Sequence, residues 1–178
     1  MKIYEINDLS NDKVVEILKN GISKEAFKKP QLYENYLYSH KNSPANLFYG
    51  LENGHFNIGA YYVLTDEDDN YVASAGWNQY RKDTALLLTR MLVTVPYRTS
   101  YVLGYKLLPL MIEKTSSYKK VWMTCNEYNE SIYKWFVRNA EGKSTTLHRQ
   151  WPDVYKNFEP IGQHLVNGLQ QFVVQLKK

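Results

Sequence analysis

The run Ala85-Leu86-Leu87-Leu88-Thr89-Arg90-Met91-Leu92-Val93-Thr94-Val95, closed by Pro96, constrains the fold more than any other part of the chain. It is apolar at both alternating positions around Thr89 and Arg90, the signature of a central strand covered on both faces. Pro96 cannot extend a β ladder and ends it. Thr99 or Ser100 then caps a helix bearing Val102, Leu103, Leu107, Leu110 and Met111, in which Pro109 should remove one backbone bond and kink the axis. Lys120 to Cys125 follows as a second short apolar strand. A buried strand, a crossover helix and a next strand make a parallel unit.

Around this unit the pattern is antiparallel. Lys2 to Ile6 alternates as a strand, and Ser10 can cap a helix with Val14, Ile17 and Leu18 on one face and Gly21 as its stop. A second helix is expected after Pro30, carrying Leu32, Tyr33, Tyr36 and Leu37 and ending before Pro44. Phe56 to Leu64 and Tyr71 to Trp77 read as two strands of a hairpin. The acidic turn between them, Asp66-Glu67-Asp68-Asp69-Asn70, lacks the spaced ligands and glycine of a calcium loop and reads as solvated. Glu130 to Arg138 forms a helix with Ile132, Trp135 and Phe136 inward. Gln163 to Val166 and Leu169 to Leu176 flank Asn167-Gly168, a pair that favours the type I′ hairpin turn. No repeat or linker interrupts the chain, so residues 1–178 are read as a single domain. The class is mixed α/β.

Composition narrows the function classes. The chain has 178 residues, 44% of them apolar, enough for a real core and too many for a disordered chain. The formal charge of +4 comes with no basic block, so no nucleic-acid partner is expected. The one cysteine, Cys125, excludes an internal disulfide, reads as a small apolar side chain, and fits a reducing, cytoplasmic setting. No apolar stretch is long enough to span a bilayer, so no membrane partner is expected. His40, His55, His148 and His164 have no second ligand at zinc spacing, so no metal is expected. Phosphate-loop, dinucleotide and nucleophile-elbow motifs are missing. Tyrosine is abundant at 16 residues; Tyr61, Tyr62, Trp77 and Tyr80 either rim an amine-binding cleft through cation–π contacts or pack the sheet.

What remains is the passage Val93-Thr94-Val95-Pro96-Tyr97-Arg98-Thr99-Ser100-Tyr101-Val102-Leu103-Gly104, leading to Leu107-Leu108. A tight turn from a central strand into a helix presents unpaired N–H groups and the positive end of the helix dipole, and Arg98 adds a fixed charge. These residues resemble the phosphate-binding motif of the GNAT superfamily of N-acyltransferases, Arg/Gln-x-x-Gly-x-Gly/Ala after a strand with Val-x-Pro and before a paired-Leu helix. Tyr101 stands at the first glycine position, and Gly104 matches the second with one extra residue in the turn. Asn126 to Tyr133 has the family's spacing from a strand-end Asn to a helical Tyr, with Phe136 near the Gly-Phe end; counting from Asn129 puts Phe136 in the tyrosine's place.

The resemblance implies a mostly antiparallel central sheet flanked by helices, with a splayed parallel strand pair, Ala85 to Val95 beside Lys120 to Cys125, holding acyl-CoA. It implies acetyl-CoA as acyl donor and a small-molecule or peptide amine as acceptor, attacking the thioester directly. Leu92, Val93 and Thr94 would pair with the pantetheine. The N–H groups of Thr99, Ser100, Tyr101, Val102, Leu103 and Gly104, with Arg98, would hold the pyrophosphate, and Asn126 or Asn129 would contact the pantetheine arm. Tyr133 would protonate the departing thiolate, unless it is one more packing tyrosine. No Glu or Asp lies in Ala85 to Val95, so the general base is not legible. A catalytically silent CoA-binding or protein-interaction module on the same fold stays open. So does a homodimer in which a second copy completes the sheet through the final hairpin.

Overall fold

The computed structural model describes residues 1–22, 47–98, 100–125, 130–143 and 152–178. Seven strands form a sheet in the order β1-β2-β3-β4-β5-β7-β6. They are β1 (Lys2–Ile6), β2 (Gly59–Thr65), β3 (Tyr71–Arg81), β4 (Thr84–Val93), β5 (Lys120–Cys125), β6 (Phe158–Val166) and β7 (Leu169–Leu176). β1–β2, β2–β3, β5–β7 and β6–β7 pair antiparallel, whereas β4 and β5 run parallel, with Thr84 opposite Lys120 through to Leu87 opposite Met123. The mixed, mostly antiparallel sheet read from the sequence is the sheet of the structure. The chain divides into two compact units, Met1–Gln79 with Leu88–Leu103, and Tyr80–Leu87 with Gly104–Lys178.

In the first unit, helix α1 (Asp12–Gly21) buries Val14, Val15 and Leu18. Its cap is Asn11, whose side chain accepts from the Val14 N–H at 3.3 Å, rather than Ser10, whose own N–H donates to Asp8. Helix α2 (Leu47–Glu52) buries Leu47, Gly50 and Leu51. Leu47 and Leu51 form one apolar cluster with Leu18, Phe56, Tyr61 and Val63. β2 begins at Gly59, three residues later than expected, because Phe56 turns inward and is fully buried. Tyr61 and Tyr62 are 0% and 1% exposed, so they pack the sheet and rim no cleft. Burial pushes the Tyr62 hydroxyl up to about 12.

The acidic turn does more than meet solvent. Asp66 accepts from the N–H groups of Asp68 and Asn70 at 3.0 and 2.9 Å. Asp69 receives Lys2 Nζ at 3.0 Å, the Tyr4 hydroxyl at 2.6 Å and Lys13 Nζ at 2.8 Å, which ties the turn to β1 and α1. Those three donors, Lys13 first, hold the Asp69 carboxyl well below the usual carboxylate range.

A π-helical turn (Leu103–Leu107), in the second unit from Gly104 onward, runs into α3 (Leu108–Lys114). Pro109 lies in the opening positions of α3, where a missing N–H is tolerated, so the expected kink is replaced by the wide turn before it. Helix α4 (Glu130–Ala140) buries Phe136, whose ring meets Tyr155 and Phe158 edge-on. The final hairpin turns on Asn167 and Gly168 with φ of 51° and 77°, both positive as a type I′ turn requires. β6 starts five residues ahead of Gln163 and changes register between Pro160 and Gly162. Cys125 is buried, and burial raises its thiol to about 11, in keeping with a small apolar role. The helix expected after Pro30 falls outside the described residues. Among the described residues no helix is long and apolar enough to cross a membrane.

Candidate functional site

β4 is buried on both faces only from Thr84 to Leu87; Leu88 to Met91 are half-buried. The change has a backbone cause. Leu88 and Arg90 have φ of 53° and 50°, left-handed values that interrupt the pleat. The strand then recovers and ends at Val93. Thr94 donates twice to the Val72 carbonyl, from its N–H and from its hydroxyl, each at 3.0 Å. Because N–H groups alternate in direction along extended backbone, the Val93 N–H points away from β3.

A 3-10 turn, Val95–Tyr97, follows with Pro96 in its first turn. Its N–H groups are largely used: Tyr97 donates to Thr94 O at 3.0 Å, Arg98 to Val95 O at 3.3 Å and Ser100 to Tyr97 O at 3.1 Å. Arg98 is exposed, and its Nε reaches the Val93 carbonyl at 3.4 Å. Tyr101 has φ of 53°, a left-handed value uncommon for a residue with a side chain. Val102 and Leu103 are buried and stand at the helix start, where N–H groups have no intrahelical acceptor.

Gly104 belongs to the second unit. A Cβ there would lie 2.5 Å from Tyr155 Cε2 and 2.8 Å from Pro152 Cγ, so the close approach that demands glycine comes from the chain itself. Thr99, Asn126 and Asn129 lie outside the described residues. Tyr133, on α4, stacks on Phe172 of β7 with centroids 4.8 Å apart, and its hydroxyl accepts from the Gly162 N–H of β6 at 3.0 Å. With Phe172, Val137, Lys134 and Arg138 it lines an open groove of about 340 Å³. Its hydroxyl therefore sits at β6, the last strand in the order. That orientation depends on which strands α4 packs against, and Asn-to-Tyr spacing carries no signal for it.

One constellation escaped sequence reasoning. Arg90 Nη2 lies 2.8 Å from His55 Nδ1, its guanidinium stands 5.3 Å over the Phe56 ring, and its carbonyl accepts from the Tyr61 hydroxyl at 3.0 Å. A charged residue within a run of buried apolar ones was the available signal, since such a charge needs placed partners. Burial first, and Arg90 second, push the His55 imidazole below its ordinary range. Among the described residues no three His, Cys, Asp or Glu side chains converge as metal ligands would.

Comparison with solved structures covers the whole chain. PaiA N-acetyltransferase from Thermoplasma acidophilum, in complex with coenzyme A, is similar with a TM-score of 0.56 at 13% identity over 100% of both chains. The chain has the GNAT acetyltransferase fold. A GNAT-family acetyltransferase from Staphylococcus aureus Mu50 gives 0.55 at 14% identity, over 98% of this chain and 97% of that one. A variant of the spermidine N-acetyltransferase from Vibrio cholerae gives 0.50 at 12% identity, over 98% and 91%. No protein-family model and no curated protein matches the sequence. The GNAT likeness therefore rests on three-dimensional structure, on the order and pairing of elements more than on motif residues.

Proposed function

We propose that the protein is an acyl-CoA-dependent N-acyltransferase that moves an acetyl group from CoA to a primary amine. The observation that carries this reading is the passage from β4 into the following helix, in a chain whose fold matches acetyltransferases from end to end. It comprises an extended strand end, a tight turn bearing Arg98, a left-handed residue at Tyr101 and a helix start. Val93 is the member of the Leu92–Thr94 trio whose N–H is aimed for pantetheine pairing, because the Thr94 donors are spent on Val72. Arg98 and the N–H groups of Thr99 and of Tyr101 to Gly104 take the pyrophosphate, the Ser100 N–H being engaged by the Tyr97 carbonyl, and Asn126 or Asn129 the pantetheine arm. Spermidine N-acetyltransferase among the similar structures supports a small amine as acceptor. The single thiol, Cys125, suits a cytoplasmic setting.

In the reaction the amine nitrogen forms a bond to the thioester carbonyl carbon, and the carbon–sulfur bond breaks with its electron pair leaving on sulfur. The amine loses one proton and the thiolate gains one. A backbone N–H at the strand end supplies a donor to the developing oxyanion. Tyr133 is the side chain that the resemblance assigns to the thiolate. Its hydroxyl accepts from Gly162 and so retains its own proton for donation.

The same two contacts suit a strut between α4 and the hairpin, and Tyr133→Phe separates the roles. Loss of an acid lowers kcat by about 10²- to 10⁴-fold with the unfolding midpoint unchanged. Loss of a strut costs about 0.5–1.5 kcal/mol of stability and leaves kcat intact. We expect the second result, since the Gly162 N–H holds the hydroxyl at β6, the last strand in the order. That engagement is also the observation favouring a catalytically silent CoA-binding module. Thiol release from acetyl-CoA across a panel of primary amines decides between them: turnover with any amine class supports the enzyme, and CoA binding without turnover on any amine supports the silent module.

A further inference from the structure

Two left-handed residues within one strand call for a cause. Leu88 and Arg90, at φ of 53° and 50°, hold a conformation that is costly for L residues and persists only where the surroundings over-determine it. Around Arg90 they do. Its carbonyl accepts from the Tyr61 hydroxyl of β2. Its guanidinium lies over Phe56 and meets His55 at 2.8 Å. It also rests on Gly50 of α2, where an added Cβ would stand 3.1 Å from Cζ. All of these residues belong to the first unit.

The chemistry of the 2.8 Å contact fixes a protonation state. A guanidinium carries five N–H donors and no acceptor, and stays charged at every pH the protein survives. His55 Nδ1 must therefore be the acceptor, which makes the imidazole neutral with its hydrogen on Nε2. A protonated ring would set N–H against N–H and one cation against another. Among the described residues, the groups that face His55 are Arg90 from β4 and the Tyr49 ring of α2, edge-on at 5.8 Å. No carboxylate among the described residues stands there to hold a protonated His55.

We propose that the Arg90–His55 contact is a latch that fixes the bend in β4, and with it the strand end Leu92–Thr94, so that His55 is a positioning residue for acyl-CoA and serves only in its neutral form. The ligand rests on the acyl-CoA reading above; the latch does not. The displaced titration of His55 agrees in sign. A histidine whose folded value lies below its unfolded one contributes stability that is complete above the ordinary range, about 6.5, and is lost as pH falls through the lowered value. By reciprocity, a ligand that prefers the latched strand makes His55 harder to protonate.

The test uses the full chain labelled with ¹⁵N-histidine, with the His55→Gln and His55→Ala variants. At neutral pH the His55 signals, assigned by their loss in His55→Gln, are expected to report the Nε2–H tautomer. Coenzyme A should bind about fivefold or more weakly at pH 5 than at pH 8, in proportion to the fraction of latched protein. In His55→Gln, whose amide oxygen accepts from Arg90 at any pH, the change should stay under about twofold. His55→Ala should bind weakly throughout. Amide exchange from Met91 to Val93 should accelerate on acidification in the parent and not in His55→Gln. An Nδ1–H tautomer, or identical pH dependence in the parent and His55→Gln, would overturn the latch. Absence of coenzyme A binding at every pH would instead sink the acyl-CoA reading, with tautomer and exchange still deciding the latch.

Discussion

Phe56→Ala should lower folding stability by about 3–5 kcal/mol, the usual cost of emptying a buried aromatic site. The ring is fully buried, meets Tyr61 edge-on at 5.3 Å, and lies under the Arg90 guanidinium at 5.3 Å. Gly76 closes against it so tightly that a Cβ there would be 2.4 Å from Cε1. Few neighbours are placed to collapse into the space, since Tyr61 is tethered through its hydroxyl to Ser74 and to the Arg90 carbonyl. In a chain of this size the loss corresponds to a fall in the unfolding midpoint of roughly 6–20 °C. Because the same ring supports Arg90, the amides of Met91 to Val93 should also exchange faster than the global destabilisation explains. Phe56→Leu, which refills most of the volume, should recover much of the midpoint. A loss under about 1 kcal/mol would mean that this ring is not the centre of the first unit's core.

Arg98→Ala should act in the opposite way, with little effect on stability and a large one on binding. The side chain is exposed and its Nε makes a long bond to Val93 O, so folding stability should move within about 0.5 kcal/mol. Charge-assisted hydrogen bonds to a phosphate are worth about 1.5–3 kcal/mol, so coenzyme A affinity should fall about tenfold to a hundredfold. Calorimetric titration at fixed salt reads the difference directly. Adenosine, which lacks the pyrophosphate, should bind the parent and the variant alike. Equal coenzyme A affinity in the two proteins would remove Arg98 from the site.

Much of the fold was legible because local pattern and tertiary environment agree. β1, β5 and the Asn167-Gly168 turn follow from alternation, an apolar run and a demand for two positive φ values. Where tertiary packing decides, the pattern was silent. Helix α2 has six residues, and a piece so short is held by burial of Leu47 and Leu51 rather than by propensity. The π-helical turn before Pro109 lies where Tyr155 and Pro152, some fifty residues on in the chain, press on Gly104. The cap at Asn11 instead of Ser10 is a one-residue ambiguity between two good capping types.

The candidate site divides in the same way. The strand end, Pro96, Arg98 and the helix start can be read from residue types alone. That Thr94 spends its donors on Val72, that Tyr101 carries a glycine-like φ, and that Tyr133 turns to β6 all depend on neighbours distant in sequence. The Arg90–His55 contact spans 35 positions and had only an isolated charge to announce it.

The most direct test of the central claim is thermal unfolding of the purified chain with acetyl-CoA, coenzyme A and ATP added separately. A ligand at about a hundred times its dissociation constant adds roughly 2.7 kcal/mol, which in a chain of this size raises the midpoint by several degrees. Binding through the pantetheine pairing at Val93 predicts that rise with acetyl-CoA and with coenzyme A, and none with ATP. An unchanged midpoint at millimolar acetyl-CoA and coenzyme A would contradict the account: the turn at Tyr101 would then be closed to the pyrophosphate, and the acyltransferase fold would be serving a function that needs no CoA.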